Sequence, residues 1–265
     1  MDRDDVRFYA EPGPLTKLPG IDGLRLDDLP TDRAALRRVV QGLLVHRDWV
    51  ASYGLTGDAI RLDEQNLRTT AEVLERAWQL DPAPAATPRE PARRVQAICR
   101  HFALLHTAFL RAQGVAARVR CGFSNYFDGD KWFDHWVTEW WDGERWVRED
   151  TQIDDLQSQA VGLAFVPYDQ PQGPFLAGTE AWRASRAGEV DPERFGILDM
   201  WGLAFIGGNV ILDLACLNKV EMLPWDGWGM VTGPFDPVSD EDAAVFDDVA
   251  AVVATGDITA IRARY

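Results

Sequence analysis

The stretch Asp134–Asp154, DHWVTEWWDGERWVREDTQID, decides how the middle of the chain is expected to fold. It holds four tryptophans and one histidine, and its centre is the dipeptide Asp142–Gly143. This dipeptide is among the strongest short signals for a β-hairpin, because a type I′ turn needs positive φ at both central residues. With a two-residue loop, His135 lies directly opposite Asp150 on one face of the hairpin.

The facing pair could do chemistry, because a carboxylate can hold one ring nitrogen of the histidine and fix its tautomer. The pairing depends on the loop: three residues with a bulge would turn Asp150 to the other face, whereas we expect two or four residues to preserve it. The structural alternative is a cross-strand polar pair that stabilises the hairpin by about 0.2 to 1 kcal/mol.

Large aromatic residues alternate onto both faces of this hairpin, which predicts a sheet covered on both sides. One face carries the histidine and aspartate together with Val137, Glu139, Trp141, Trp146 and Arg148. The other face carries Trp136, Thr138, Trp140, Val147 and Glu149.

Apolar residues at helical spacing predict the other main elements. In the segment before the hairpin, Val95, Ile98, Phe102, Leu105 and Phe109 advance by three and four residues, and Gly114 ends that helix. The alternation in ARVRCGF then predicts a strand over residues 117–123. Further helices are expected within residues 31–55, 63–80, 179–197, 199–223 and 239–256.

The order of these elements predicts an α+β fold. Four prolines in DPAPAATPREP mark the clearest internal boundary. We therefore expect a helical N-terminal region over residues 1–85, a core over 86–160 and a mainly helical C-terminal region over 161–265. The three parts are expected to pack as one integrated domain.

Composition restricts the partners and the compartment. The 265 residues include 42 acidic and 27 basic side chains, a formal charge of −15 that disfavours nucleic acid and anionic membranes. Three cysteines without a CxxC pair suit a reducing compartment, and no segment approaches eighteen uninterrupted apolar residues. We expect a cytoplasmic protein, and its acidity is typical of salt-tolerant or high-GC bacterial proteins.

A histidine oriented by a carboxylate needs a thiol or hydroxyl to activate, and Cys99 is the best candidate. At the first turn of its helix, the macrodipole would favour its thiolate. The sequence leaves the helix start open: a capping box at Thr87 would bury Cys99 inside the helix, and only a break near residues 94–97 puts it first. Cys121 and Cys216 are expected to be core residues.

These residues together resemble the transglutaminase-like superfamily of papain-type thiol enzymes. The resemblance covers about residues 94–153 and consists of a cysteine opening a helix, Gly114–Arg118 leading into a strand, then DHWVTEWW and RWVREDTQ. It implies a transglutaminase-like core in which the nucleophile helix packs on an antiparallel sheet. It also implies Cys99 as nucleophile, His135 as general base and then acid, and Asp150 as the residue that orients the histidine.

The sequence departs from the family pattern before the cysteine, where Ile98 stands in place of a small residue. The second oxyanion donor is open between Trp49, Tyr53 and Gln96. Trp136, next to the histidine, could line the site and exclude water.

The predicted function is acyl transfer at an amide or related carbonyl through a thioester, ending in hydrolysis or amide formation on a small-molecule or peptide substrate. The alternative is a transglutaminase-like binding module without activity. No cofactor is expected, and no metal: no acidic stretch has calcium-loop spacing, and His101 and His106 lie on different faces of one helix. The oligomeric state is open.

Overall fold

The computed structural model describes residues 3–227, 229–230 and 235–265. The chain divides into two compact units. The first unit comprises Met1–Arg118 and Val137–Asp154, and the second comprises Val119–Trp136 and Asp155–Tyr265. The three-part division drawn from the sequence stays a prediction.

The helices of the first unit are α1 (Arg3–Ala10), α2 (Arg33–Leu43), α3 (Thr70–Leu80) and α4 (Cys99–Ala112). Side chains fix two of their starts. Asp32 caps α2 by accepting the Ala35 N–H at 2.8 Å, and Thr69 and Glu72 form a capping box at α3.

Two of these helices are shorter than predicted. The helix expected within residues 31–55 ends at Leu43, because Leu44–His46 forms strand β1 and pairs in parallel with β2 (Val95–Ala97). The helix expected over residues 63–80 begins only at Thr70, since Leu62–Asn66 forms a 3₁₀ helix.

The predicted hairpin is present as β4 (Trp132–Trp141) and β5 (Trp146–Glu149), which pair antiparallel. Its faces are those predicted. Glu139 lies opposite Arg148 and binds it at 2.8 Å, and Trp141 lies opposite Trp146 with ring centroids 5.7 Å apart.

The predicted register of the hairpin is wrong. The loop has four residues, because the Asp142 carboxylate accepts the N–H groups of Glu144 and Arg145 at 2.7 and 2.8 Å. Gly143 takes φ +111°, but Asp142 does not adopt the positive φ that a type I′ turn requires. Thr138 consequently pairs with Glu149, so neither the two-residue loop nor the expectation that four residues would keep His135 opposite Asp150 holds.

The larger sheet has the strand order β6 (Phe175–Ala177), β3 (Ala117–Ser124), β4, β7 (Phe195–Ile197) and β8 (Met200–Trp201), and β5 pairs with β4 off this path. The strand predicted over residues 117–123 is confirmed as β3. The β3–β6 and β7–β8 pairs are antiparallel, whereas Trp132 and Phe133 of β4 pair in parallel with Phe195 and Gly196. The sheet is thus mixed in direction.

The helices of the second unit are α5 (Asp155–Val161), α6 (Gly178–Arg186), α7 (Leu203–Leu217), α8 (Asp240–Ala254) and α9 (Ile258–Arg264). The helix predicted within residues 239–256 is confirmed as α8. The helices predicted within residues 179–197 and 199–223 are shorter, because Phe195–Ile197 and Met200–Trp201 are used as strands.

Each unit has its own apolar core. In the first unit α2, α3 and α4 contribute buried residues that include Leu36, Val40, Leu74, Phe102, Leu105 and Phe109. In the second unit α6, α7 and α8 contribute residues that include Trp182, Ile206, Val210, Phe246 and Val249. Each fully buried aliphatic or Phe side chain contributes about 1.5 to 3 kcal/mol to stability.

Cys121 and Cys216 are fully buried, which confirms their predicted place in the core. Among the described residues, no helix has both the length and the apolar character needed to cross a bilayer.

Candidate active site

Cys99 is the first residue of α4. The chain leaves β2 at Ala97, and Ile98 takes the extended N-cap conformation with φ −113° and ψ 170°. The break needed near residues 94–97 is therefore present, and Thr87 does not start this helix. Cys99 is 7% exposed and sits where the positive end of the helix macrodipole favours a thiolate.

Hydrogen bonds to residues distant in sequence explain why residues 95–97 do not form the first turn of α4. Val95 to Ala97 pair with Leu44 to His46, and the Gln96 N–H donates to the buried Glu64 carboxylate at 2.7 Å. Arg61 and Arg76 each donate to the same carboxylate at 2.7 Å. The strand that precedes the cysteine is thus held from both sides, and the helix starts after it.

Asp150 follows the last residue of β5 and is fully buried. Its carboxylate accepts the Gln152 N–H at 3.0 Å. The residue before it is anchored as well, because the Glu149 carboxylate accepts bonds from Arg37 at 3.0 Å and from the Trp140 indole at 3.1 Å.

The residue after Asp150 is anchored to two helices. The Thr151 hydroxyl lies 2.8 Å from Nδ1 of His106 on α4, and the Thr151 carbonyl accepts from Gln41 of α2 at 3.1 Å. The backbone that carries the Asp150 carboxylate is therefore fixed on both sides. Desolvation lowers the pKa of the buried His106.

His135 lies on β4 in the second unit and is 2% exposed. Two aromatic rings meet it edge to face: the ring centroids of Tyr126 and Phe127 lie 5.8 and 5.1 Å from that of the imidazole. Tyr126 in turn contacts Phe165 at 5.5 Å. These aromatic contacts restrict the orientation of the imidazole.

Of the residues on either side of His135, Asp134 is half-buried and Trp136 is buried. Desolvation raises the pKa of Asp134 to about 7, although the neighbouring His135 and a hydrogen bond from Asn209 oppose that shift. Trp136 is 1% exposed, and its indole N–H has no hydrogen-bond partner among the described residues. A lining role for Trp136 stays a prediction.

The predicted site residues are divided between the units. Cys99, Asp150 and Trp49 belong to the first unit, whereas His135 and Trp136 belong to the second. The joint action of Cys99, His135 and Asp150 stays a prediction.

The three candidates for the second oxyanion donor differ in what already binds them. The Gln96 amide donates to the Ala59 carbonyl at 2.6 Å and accepts from the Arg61 N–H at 2.8 Å. The Tyr53 hydroxyl donates to Asp154 at 2.5 Å. Trp49 is half-buried in the 3₁₀ segment Arg47–Tyr53. Of the three candidates, its side chain has the fewest hydrogen bonds to the described residues.

Sequence reasoning missed the part that His101 plays at the helix start. It weighed this residue only as a metal ligand, whereas its ring binds the backbone of Ile98 and Leu67. A signal was available: His101 is the third residue of the helix, the position from which a side chain reaches back to the N-cap in a capping box.

Residues 60–151, about a third of the chain, match the family model of the transglutaminase-like superfamily. No curated protein matches the chain significantly. Among solved structures, a protein from Cytophaga hutchinsonii described as a candidate cysteine protease is similar at 18% identity, over 55% of this chain and 47% of its own. The chain thus spans about half the length of that protein, and the TM-score is 0.20.

The matched segment contains Cys99, His135 and Asp150 in that order. This α+β chain thus contains a segment, residues 60–151, that is similar to the transglutaminase-like superfamily.

Proposed function

We propose that this protein is a thiol-dependent acyl-transfer enzyme with Cys99 as its nucleophile. The observation that carries the proposal is that Cys99 is the first residue of α4, inside the segment that matches a cysteine-based family. A cysteine at a helix N-terminus is more easily deprotonated, and the thiolate is the reactive form.

In the proposed reaction, Cys99 Sγ bonds to the carbonyl carbon of an amide or related group. The carbon–nitrogen bond then breaks and leaves a thioester on the cysteine. His135 takes the thiol proton and returns a proton to the departing amine. Water or a second amine attacks the thioester, and the thiol is restored. No electrons are gained or lost overall, so no redox partner is required.

Asp150 is proposed to orient the imidazole of His135. Supporting this role, Asp150 is buried and lies between two anchored residues, Glu149 and Thr151. A carboxylate that holds one ring nitrogen keeps the imidazole in the tautomer that proton transfer requires.

The negative charge that develops on the carbonyl oxygen of the substrate needs hydrogen-bond donors that stabilise it. We propose the backbone N–H of Cys99 as one of them, because the first N–H groups of a helix have no carbonyl within the helix to bond. Trp49 is proposed as the second donor.

The substrate is proposed to be a small molecule or peptide that carries an amide. Both hydrolysis and amide formation share the first half of this reaction, and the identity of the second nucleophile decides between them. A catalytically silent binding module is the competing function, and it needs no activated thiol.

Alkylation by iodoacetamide separates these two functions, because the reagent reacts with thiolates. We expect Cys99 to be labelled at pH 7 well before Cys121 and Cys216, which serve as internal controls because both are fully buried. Desolvation also raises the pKa of Cys121 well above its ordinary value. Peptide mapping by mass spectrometry gives the rate at each cysteine, and equally slow labelling of all three would favour the binding module.

The same assay tests the histidine. We expect His135→Ala to slow labelling of Cys99 at pH 7 by about tenfold or more, because the thiolate would lose its stabilising partner. His46→Ala is the matched control, since that imidazole accepts the Asp48 N–H at the start of a 3₁₀ segment and has no proposed catalytic role. A His135 variant that labels as fast as the control would contradict the proposed role.

A further inference from the structure

The ring of His101 joins two backbone segments at the start of α4. Its Nε2 lies 2.8 Å from the Leu67 carbonyl, and its Nδ1 lies 3.4 Å from the Ile98 nitrogen. A carbonyl can only accept, so Nε2 carries the proton and Nδ1 is left to accept the Ile98 N–H. The tautomer is thus fixed by the partners on its two sides.

Arg100 reinforces the same attachment. Its buried guanidinium donates to the Leu67 carbonyl at 3.3 Å and to the Arg68 carbonyl at 2.6 Å. The accepting segment is itself fixed, because the Glu72 carboxylate accepts the N–H groups of Arg68 and Thr69 at 2.6 and 2.9 Å. Two consecutive residues of α4 therefore hold one short, well-anchored stretch of backbone.

The bond to Ile98 decides where the helix can begin. Ile98 is buried and extended, and an unbonded buried N–H costs free energy. If residues 95–98 became helical, the Cys99 N–H would bond a carbonyl four residues back, and the thiol would lose its place at the positive end of the dipole. The residues before the cysteine suit a helix, since Val95 and Ile98 continue the apolar spacing of α4.

We propose that His101 is a positioning residue that keeps Cys99 at the N-terminus of α4 by accepting the Ile98 N–H while its other nitrogen is held by Leu67. This inference rests on the proposed function, in which Cys99 is the nucleophile. Because His101 holds backbone groups, it is not itself a catalytic residue.

The charge state of His101 suits this role. Burial, and next to it the neighbouring Arg100, lower the pKa of His101 to about 3. The ring therefore stays neutral at working pH, and Nδ1 remains available as an acceptor.

Two substitutions separate the acceptor at position 101 from the bulk of its side chain. In His101→Gln the carboxamide oxygen lies at the third helical position and can reach back to accept the Ile98 N–H, as the carboxylates of Glu72 and Glu180 accept the N-cap N–H groups of α3 and α6. In His101→Leu the side chain stays bulky but leaves no acceptor for the Ile98 N–H.

The measurement is the pH dependence of Cys99 alkylation, with urea unfolding of each variant alongside it. We expect His101→Leu to lower the thiolate fraction at pH 7 about tenfold, and His101→Gln to stay within about threefold of the wild type. Losses of reactivity in both variants that simply follow their losses of stability would overturn the inference, as would unchanged reactivity in both.

The wild-type protein distinguishes a failure of this inference from a failure of the proposed function. An ordinary thiol pKa at Cys99 in the wild type would overturn the proposed function, and this inference with it. Nitrogen chemical shifts of the His101 ring give a test that needs no variant. We expect the Nε2–H tautomer with no titration above about pH 4, and the Nδ1–H tautomer would overturn this inference alone, because that nitrogen could not accept from Ile98.

Discussion

At the scale of single residues, the acidic neighbour of the catalytic histidine candidate carries the clearest pH dependence. Asp134 has a pKa raised to about 7 by desolvation, whereas an exposed aspartate titrates near 3.8. Between these values the folded protein holds a proton that the unfolded chain releases. Stability from this group is therefore present at acid pH and is lost as pH rises toward 7.

We expect Asp134→Asn to remove that dependence. The asparagine is neutral at all pH values, so the variant should gain stability relative to the wild type as pH rises from about 4 to about 7. Urea unfolding at a series of pH values measures the difference between the two proteins. A constant difference across that window would show that Asp134 is ionised in the folded state.

At the scale of elements, the hairpin shows what a local pattern can predict. Alternation with a period of two predicts both faces of the hairpin correctly, because successive side chains of a strand point to opposite faces whatever the loop length, provided that it stays even. The register depends on one side chain, Asp142, whose carboxylate binds two backbone N–H groups and so selects four loop residues over two. Nothing in the Asp142–Gly143 dipeptide distinguishes these two turns.

Asp142→Ala tests the role of that side chain. Bonds from the N–H groups of Arg145 and Glu144 lower the pKa of the Asp142 carboxyl, so its stabilising contribution is present at neutral pH and is lost as the solution is acidified through that pKa. We expect a lower melting temperature than wild type at pH 7 and a smaller deficit in acid. The exposed neighbour Glu144 supplies the control, Glu144→Ala, and an equal deficit in both variants would argue against the loop bonds.

Helix boundaries show the limit of sequence patterns. The apolar spacing of α4 predicts its body and its end near Gly114, but the same spacing runs back to Val95. The start at Cys99 depends on β1, Glu64 and His101, which are distant in sequence or bind through backbone groups. Tertiary contacts of this kind leave no periodic trace, so the apolar spacing alone could not place the candidate nucleophile at the helix start.

At the scale of the whole molecule, the two units interleave along the sequence, because each of them consists of two separate segments of the chain. The second unit is stabilised by an internal ion pair. Arg120 donates to both oxygens of Asp213 at 2.7 and 2.8 Å, and the Thr179 hydroxyl donates to Asp213 at 2.8 Å. The Arg120 and Asp213 side chains are only 6% and 0% exposed.

We expect Asp213→Ala to lower the free energy of unfolding by about 3 to 5 kcal/mol, because it removes the counter-charge of a buried guanidinium. The exposed pair between Arg264 and Asp248 gives the control, and Arg264→Ala should cost about 1 kcal/mol or less. Urea unfolding of both variants supplies the comparison. An equal loss in the free energy of unfolding in both variants would mean that burial does not determine how much these ion pairs contribute to stability.

If Cys99 carries the acyl group during turnover, the mass of the protein increases by that of the acyl group while the thioester is present. Wild type and Cys99→Ala are incubated with amide-containing peptides and metabolites, quenched in acid, digested and mapped by mass spectrometry. We expect a thioester adduct on Cys99 in the wild type, and neither adduct nor turnover in Cys99→Ala. Turnover that survives in Cys99→Ala would show that another residue is the nucleophile.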